Sequence, residues 1–251
     1  GTAVCGSPAS TDSTLCVRWL NKSCNTLVTG GYYNLRLWQF DDRSRKIKPH
    51  DCVLGPIRRV ICSISISEED EFAYCGTQSG DLLKVSVLNG RLVSSSAYRY
   101  SLGIRCSVTF REVNKYGEAE HIIIIGNGDG TIVRLTSVDS KPIKQVSINK
   151  VEGAVTSIAM GPKGKQAYIG TERGSTYMME ASDLEYELKS TSHFERINDI
   201  CFPQHCSSIF ITCSINDIRV WNSDTRQELL RIQVPNLECN CISITPDGRS
   251  I

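Results

Sequence analysis

The 251-residue sequence has no stretch of about ten residues that keeps a helical period. Doubly wound and helical-repeat folds are therefore not expected. Long apolar runs are also missing. The longest, residues 122–125, is far too short to cross a bilayer. Read from Gly1, no charged, apolar, small-residue leader opens the chain. An excess of one charge is lacking too. Twenty-eight Lys and Arg stand against 27 Asp and Glu, so the basic footprint of a nucleic-acid binder is absent. There is no CxxC pair, no serine in a GxSxG elbow, and no pair of carboxylates marked out as acid and base. Catalysis, metal, cofactor and small-molecule substrate are not expected.

Cysteine is plentiful, with 12 copies. Most sit inside apolar, strand-like runs such as Ile61-Cys62-Ser63-Ile64, where cysteine acts as a small hydrophobe. Reduced thiols of an intracellular protein are the expectation, since disulfide frameworks belong to much shorter secreted chains.

One short pattern recurs: a small or polar residue, an apolar one, any residue, an apolar or basic one, then a large apolar one. It reads Asn34-Leu35-Arg36-Leu37-Trp38, Asp81-Leu82-Leu83-Lys84-Val85, Thr131-Ile132-Val133-Arg134-Leu135, Ser175-Thr176-Tyr177-Met178-Met179 and Asp217-Ile218-Arg219-Val220-Trp221. The final residues Trp38, Val85, Leu135, Met179 and Trp221 are spaced by 47, 50, 44 and 42 residues. Propeller blades of four strands repeat at roughly 40–45. Before each copy runs an apolar strand ending in Gly or Ser, then a short polar turn, as in Gln78-Ser79-Gly80. Strand, glycine-bearing turn and strand predict a hairpin. A further apolar strand precedes each hairpin. In Cys62-Ser63-Ile64-Ser65-Ile66 it alternates with period two. A more polar fourth strand follows, as at 143–148 and 229–234. Four strands per unit make a blade. Residues 122–125 do not alternate, which suits a strand sandwiched between neighbouring blades.

The predicted class is all-β, with four-stranded antiparallel propeller blades. Residues 3–9 read as an outer strand left from an earlier blade, and residues 241–251 as the start of a sixth copy. A ring of seven does not close on this length, so a fragment of a longer protein is expected.

The copies resemble the WD-repeat family in a worn form. The family's terminal Trp is matched at Trp38 and Trp221. Its turn Asp is matched at Asp129, while Tyr32, Ser79, Arg173 and Ile215 stand at the corresponding places. The His that opens a repeat is matched at best by His193. The family's polar network is thus expected to be largely missing, with apolar packing between blades in its place. A narrower resemblance runs through Cys5-Gly6-Ser7-Pro8-Ala9, Arg45-Lys46-Ile47, Lys141-Pro142-Ile143-Lys144, Gly170-Thr171-Glu172 and Val234-Pro235-Asn236. It is to double-propeller WD-repeat proteins of ciliary doublet microtubules. It implies that residues 1–185 are later blades of a first propeller and 186–251 the first blades of a second, crossing over at 181–192. It implies a place inside the B-tubule near the inner junction, with tubulin and other lumenal proteins as partners.

Three groups of residues invite chemistry. Gly126-Asn127-Gly128-Asp129-Gly130 looks like a phosphate loop, but a strand follows it instead of a helix, so a hairpin turn is expected. His193, Cys201, His205, Cys206 and Cys213 cluster in sequence, yet two of the thiols lie in expected core strands and no knuckle is present. The third group, Arg43, Arg45, Lys46, Lys48, Arg58 and Arg59, is basic and flanks the outer strand between the first two full blades. It reads either as a charged edge that blunts strand pairing or as a patch facing an acidic partner. By the resemblance that partner is tubulin. The expected function is a structural scaffold of the axoneme. The alternative is a soluble adaptor or substrate-receptor propeller of a larger complex.

Overall fold

The computed structural model describes residues 13–41, 43–114, 116–138, 141–161, 164–203, 208–235 and 238–244. Among these residues there is no helix. The first sheet holds β1 (Thr14–Trp19), β2 (Thr26–Gly31), β3 (Asn34–Asp41) and β4 (Lys46–Asp51). The second holds β5 (Ile61–Ile66), β6 (Phe72–Thr77), β7 (Leu82–Ser86) and β8 (Leu92–Ser95). The third holds β9 (Ile104–Val113), β10 (Ala119–Asn127), β11 (Thr131–Ser137) and β12 (Lys144–Lys150). The fourth holds β13 (Val155–Met160), β14 (Gln166–Thr171), β15 (Thr176–Glu180) and β16 (Tyr186–Ser190). The fifth holds β17 (Asp199–Cys201), β18 (Ile209–Cys213), β19 (Asp217–Asn222) and β20 (Glu228–Gln233). In every sheet each strand pairs with its neighbours in sequence. These are propeller-type blades.

Each recurring five-residue pattern falls on the third strand or on the turn that enters it, as the sequence predicts. Thr26↔Gln39 through Gly31↔Asn34 pairs β2 with β3, and Ile209↔Asn222 through Cys213↔Ile218 pairs β18 with β19. The glycine run at 126–130 is the β10–β11 turn, with Gly130 at φ 86°. The third blade departs from expectation in one respect. Its first hairpin runs on to Val113 and returns at Ala119, so both strands extend past the sequence estimate. That extension accounts for the longest repeat spacing. Asn114 ties the hairpin end, its side-chain oxygen accepting from the Tyr116 and Glu118 amides at 2.9 and 3.0 Å. Residues 3–9 lie outside the described residues, as do 245–251. Residues 241–244 form no strand.

The chain divides into two compact units, Gly1–Thr171 with Met178–Glu187, and Glu172–Tyr177 with Leu188–Ile251. In the first unit the core is a series of seams between blades. Val28 and Leu35 meet Ile61, Ile64, Cys75, Leu83 and Val85 at one seam. Tyr74 and Leu82 meet Ile104, Ile123, Ile125, Val133 and Leu135 at the next. Ile122, Ile123, Ile124 and Ile125 are all buried, because successive side chains of a strand face opposite ways and here both faces are covered. Burying each such side chain contributes about 1.5–3 kcal/mol.

The glycines that end the second strands have a specific task. A methyl group on Gly30 would lie 2.6 Å from Ile61 Cγ2, and one on Gly76 would lie 2.5 Å from Ile104 Cγ2. On Gly126 it would lie 2.8 Å from Val155 Cβ. In each case the β-branched residue that opens the next blade's first strand seats in the slot a glycine leaves. First strands also touch directly: Arg18 Nε donates to the Ile64 carbonyl at 3.2 Å, and the Ser63 and Ser107 hydroxyls lie 3.4 Å apart.

In the second unit the blade β17–β20 is built around charge. Asn198 Nδ2 and Cys213 Sγ both donate to the Cys239 carbonyl, at 2.8 and 3.4 Å, so the chain after β20 returns to the first strand.

Candidate functional site

The polar network expected to be missing is present in the fifth blade, displaced along the chain. His193 Nδ1 lies 2.5 Å from Asp217 Oδ1, and His193 Nε2 lies 2.6 Å from Thr212 Oγ1. Trp221 Nε1 donates to the same Thr212 oxygen at 2.7 Å. With the imidazole proton on Nδ1, the line runs donor to acceptor from indole to carboxylate. The carboxylate is supplied by the first residue of the five-residue pattern, not by the turn position two residues earlier, where Ile215 stands. Arg219 is 1% exposed and lies between Asp217 Oδ2 at 2.6 Å and Glu228 Oε2 at 2.8 Å. Thr191 Oγ1 donates to that Glu228 oxygen. Burial alone would raise the Asp217 carboxyl, but Arg219 and His193 hold it below the usual carboxylate range.

The second blade carries a partial version. Asp81, again the first residue of the pattern, accepts from Arg59 Nε at 3.1 and 2.8 Å, from Ser79 Oγ at 2.7 Å and from Thr77 Oγ1. Against the upward push of burial, the Thr77 and Ser79 hydroxyls and Arg59 lower its pKa. The first blade keeps the tryptophan bond, Trp38 Nε1 to Thr29 Oγ1 at 2.8 Å, and an ion pair from Arg36 Nε to Asp51 Oδ1 at 2.5 Å. Val85, Leu135 and Met179, at the same repeat position, are buried, Val85 and Leu135 within the apolar seams. Asp129, matched to the family's turn Asp, accepts from the Thr131 amide at 3.0 Å and serves its turn.

The six basic residues do not form one surface. Arg43 and Arg45 occupy the β3–β4 turn, with Arg45 at φ 50°, and Lys46 and Lys48 lie on β4. Asp41 accepts from the Arg43 and Ser44 amides at 3.2 Å each, and Lys48 Nζ lies 3.5 Å from its other oxygen. The hydrogen bonds from Ser44, with help from Lys48, lower the Asp41 pKa. Arg58 and Arg59 belong to the opposite end of the blade. The Tyr33 amide donates to the Arg59 carbonyl at 3.1 Å, and the Arg58 guanidinium lies 5.5 Å from the Tyr33 ring centre. The eight residues of β3 separate the two groups by roughly 25 Å. Arg59 is further committed to Asp81. The sequence linked these residues because a loop joins them, but that loop runs the height of the blade.

Buried cations were hidden in the pattern's basic slot. Lys84 Nζ lies 3.9 Å from the Phe72 ring centre and donates to Ser137 Oγ at 3.0 Å. Arg134 Nη2 donates to Glu112 Oε2 at 2.6 Å.

The thiols buried in the blades of the first unit are chemically quiet. Burial pushes Cys16 and Cys52 up to about 11, Cys106 up to about 12, and Cys75 well above its usual value. A nucleophilic thiol needs the reverse shift. Of the cysteine and histidine cluster, His193 serves the Asp217 network and Cys213 is buried. His205 and Cys206 lie outside the described residues. Among the described residues no group of three His, Cys, Asp or Glu side chains is placed to hold a metal ion.

Blades of this kind, with their polar groups committed to internal networks, define the class: an all-β protein of propeller-type blades. No family model matches the chain. Cilia- and flagella-associated protein 52 of Chlamydomonas reinhardtii is 37% identical over 254 residues, which cover 100% of this chain and 40% of the relative. The proteins of the same name from Bos taurus and Homo sapiens are each 35% identical and match 99% of the chain. The chain spans about two fifths of the length of these curated relatives, so it matches them as a part of a longer protein.

Proposed function

We propose that the chain is a non-catalytic scaffold of worn WD repeats that works in the cilium or flagellum as a microtubule inner protein. On this reading it stabilises doublet microtubules near the inner junction, with tubulin and other lumenal proteins as partners. Residues 1–185 would close a first propeller and 186–251 would open a second. The observation that carries the reading is similarity along the whole chain to proteins named for cilia and flagella, on a fold of repeated four-stranded blades.

The contact surface for an acidic lattice is narrowed to Arg43, Arg45, Lys46 and Lys48 at one edge of the first blade. Complementary charge there would mainly speed and orient docking. Replacing these four with Glu should abolish co-sedimentation with microtubules at physiological salt. It should leave the fold intact, since exposed charges contribute within about 0.5 kcal/mol. Undiminished pelleting of the folded variant would remove the charged edge from the reading. A tagged full-length protein that stays in the cytosol after demembranation of ciliated cells would remove the axonemal role itself.

A further inference from the structure

Two thiols of the second unit stand apart from those of the first. Cys213 ends β18 and is buried, and its Sγ donates to the Cys239 carbonyl at 3.4 Å. The Cys239 side chain is itself in hydrogen-bonding contact with the Cys213 thiol. Cys239 is half-buried, so solvent reaches one member of the pair and not the other.

The setting lets the two sulfurs meet. Residues 238–244 form no strand. Beside the Cys213 thiol, two side chains hold them: Asn198 Nδ2 donates to the Cys239 carbonyl at 2.8 Å, and Asp199 Oδ2 accepts from the Ile242 amide at 2.9 Å. A segment held this way can make the small shift that brings two Cβ atoms to the roughly 3.5–4.5 Å a disulfide needs. Cys16 and Cys62 show the contrast. Both lie on paired strands, and their thiols donate to the carbonyls of Gly30 and Val60 instead. Burial and the neighbouring Cys239 thiol push Cys213 up to about 11. Cys213 is therefore protonated at neutral pH and suited to react second, at short range, after Cys239 has met the oxidant.

We propose that Cys239 and Cys213 are a reversible dithiol–disulfide pair, oxidised by a small-molecule disulfide of the glutathione class, which staples the segment after β20 to the second strand of the fifth blade. The Cys239 thiolate attacks one sulfur of the small disulfide. That S–S bond breaks, and one glutathione leaves, taking the proton Cys239 gave up. The Cys213 sulfur then attacks Cys239 Sγ in the mixed disulfide, and the second glutathione leaves with the Cys213 proton. Two electrons pass from the protein thiols to the small disulfide, which becomes two thiols. The pair lies within the second unit and does not rest on the axonemal reading.

The test uses the full chain, equilibrated with oxidised and reduced glutathione, blocked with N-ethylmaleimide and digested with trypsin. Mass spectrometry should find peptide 197–219 joined to peptide 232–249, with fragmentation placing the bond between Cys213 and Cys239. Dithiothreitol should reverse it. Cys241→Ser should leave the bond in place and Cys239→Ser should abolish it. In a chain with Trp19 and Trp38 replaced by Phe, oxidation should raise the thermal midpoint read by Trp221 by several degrees, as closing a loop of this length does. Cys239→Ser should show no such rise. The proposal is overturned if Cys239 joins Cys241 instead, or if glutathione stays on Cys239 without Cys213 displacing it. It is also overturned if neither thiol is oxidised, or if the bond forms and the midpoint does not rise.

Discussion

Around Ile123 and Ile125, blade meets blade through aliphatic side chains and a slot left by Gly76. Around Arg219, three strands and the connection that enters the blade are held by Asp217, Glu228, His193, Thr212 and Trp221, all within hydrogen-bond or ion-pair distance of a neighbour in the network. The same repeat thus stands on two different supports. Apolar burial is non-directional and tolerates exchange of one hydrophobe for another of similar volume. A buried network of charges is stable only when every member is paired, and it fails when one is removed. The seams of the first unit should therefore degrade gradually under substitution, and the fifth blade should fail abruptly.

The deepest break should come from Asp217→Ala. It strips Arg219 and His193 of their shared carboxylate and leaves a buried guanidinium with reduced pairing. A loss of about 3–5 kcal/mol is expected. Urea unfolding followed by Trp221 fluorescence, with Trp19 and Trp38 replaced by Phe, reads the second unit alone. A loss below about 1 kcal/mol would show that the network does not carry the blade.

Gly126→Ala comes next. The added methyl meets Val155 at a seam with no room, so roughly 1–3 kcal/mol should go from the first unit. Trp38 fluorescence should report that loss while Trp221 fluorescence stays unmoved. An equal shift at Trp221 would mean the two supports are not separate.

Thr212→Val keeps shape and removes the hydroxyl that joins His193 to Trp221. Leaving both ring nitrogens without that partner should cost about 1–3 kcal/mol, read by Trp221 again. A cost no larger than a conservative core exchange would place the strength of the network in its ion pairs alone.

The smallest effect should be that of acid. Asp217 has a folded pKa below its unfolded value of about 3.9, so its contribution is fully present above that value. It is lost as pH falls from there through the folded pKa. The fifth blade should weaken over that interval. Asp217→Asn should flatten the pH dependence of the Trp221 transition. Asp81, shifted the same way, should give the second blade a matching response that Asp81→Asn removes.

Strand order and hairpin positions were legible in the sequence because alternation, terminal glycines and a repeat near forty-five residues all point one way. Residues 122–125 were legible as a sandwiched strand for the same reason. The network of the fifth blade was not. The family pattern places its carboxylate in the turn two residues ahead of Asp217, whereas here the first residue of β19 supplies it and completes the circuit to His193. The signal was available in retrospect: Asp81 and Asp217 share the first slot of the repeat. The basic residues misled for a different reason. Neighbours in sequence across a loop are not neighbours in space when the loop climbs the length of a strand, and only pairing register tells the two cases apart. The longer hairpin of the third blade showed only as an excess of spacing, with nothing to say which turn had grown.

The slots at Gly30, Gly76 and Gly126 bear on how a load would pass along such an array. A methyl seated in a notch works like a detent. Sliding one blade along its neighbour must lift that methyl over strand backbone, whereas hinging the pair open parts apolar surfaces and a few hydrogen bonds. Sheets joined in this way resist shear more than they resist peeling.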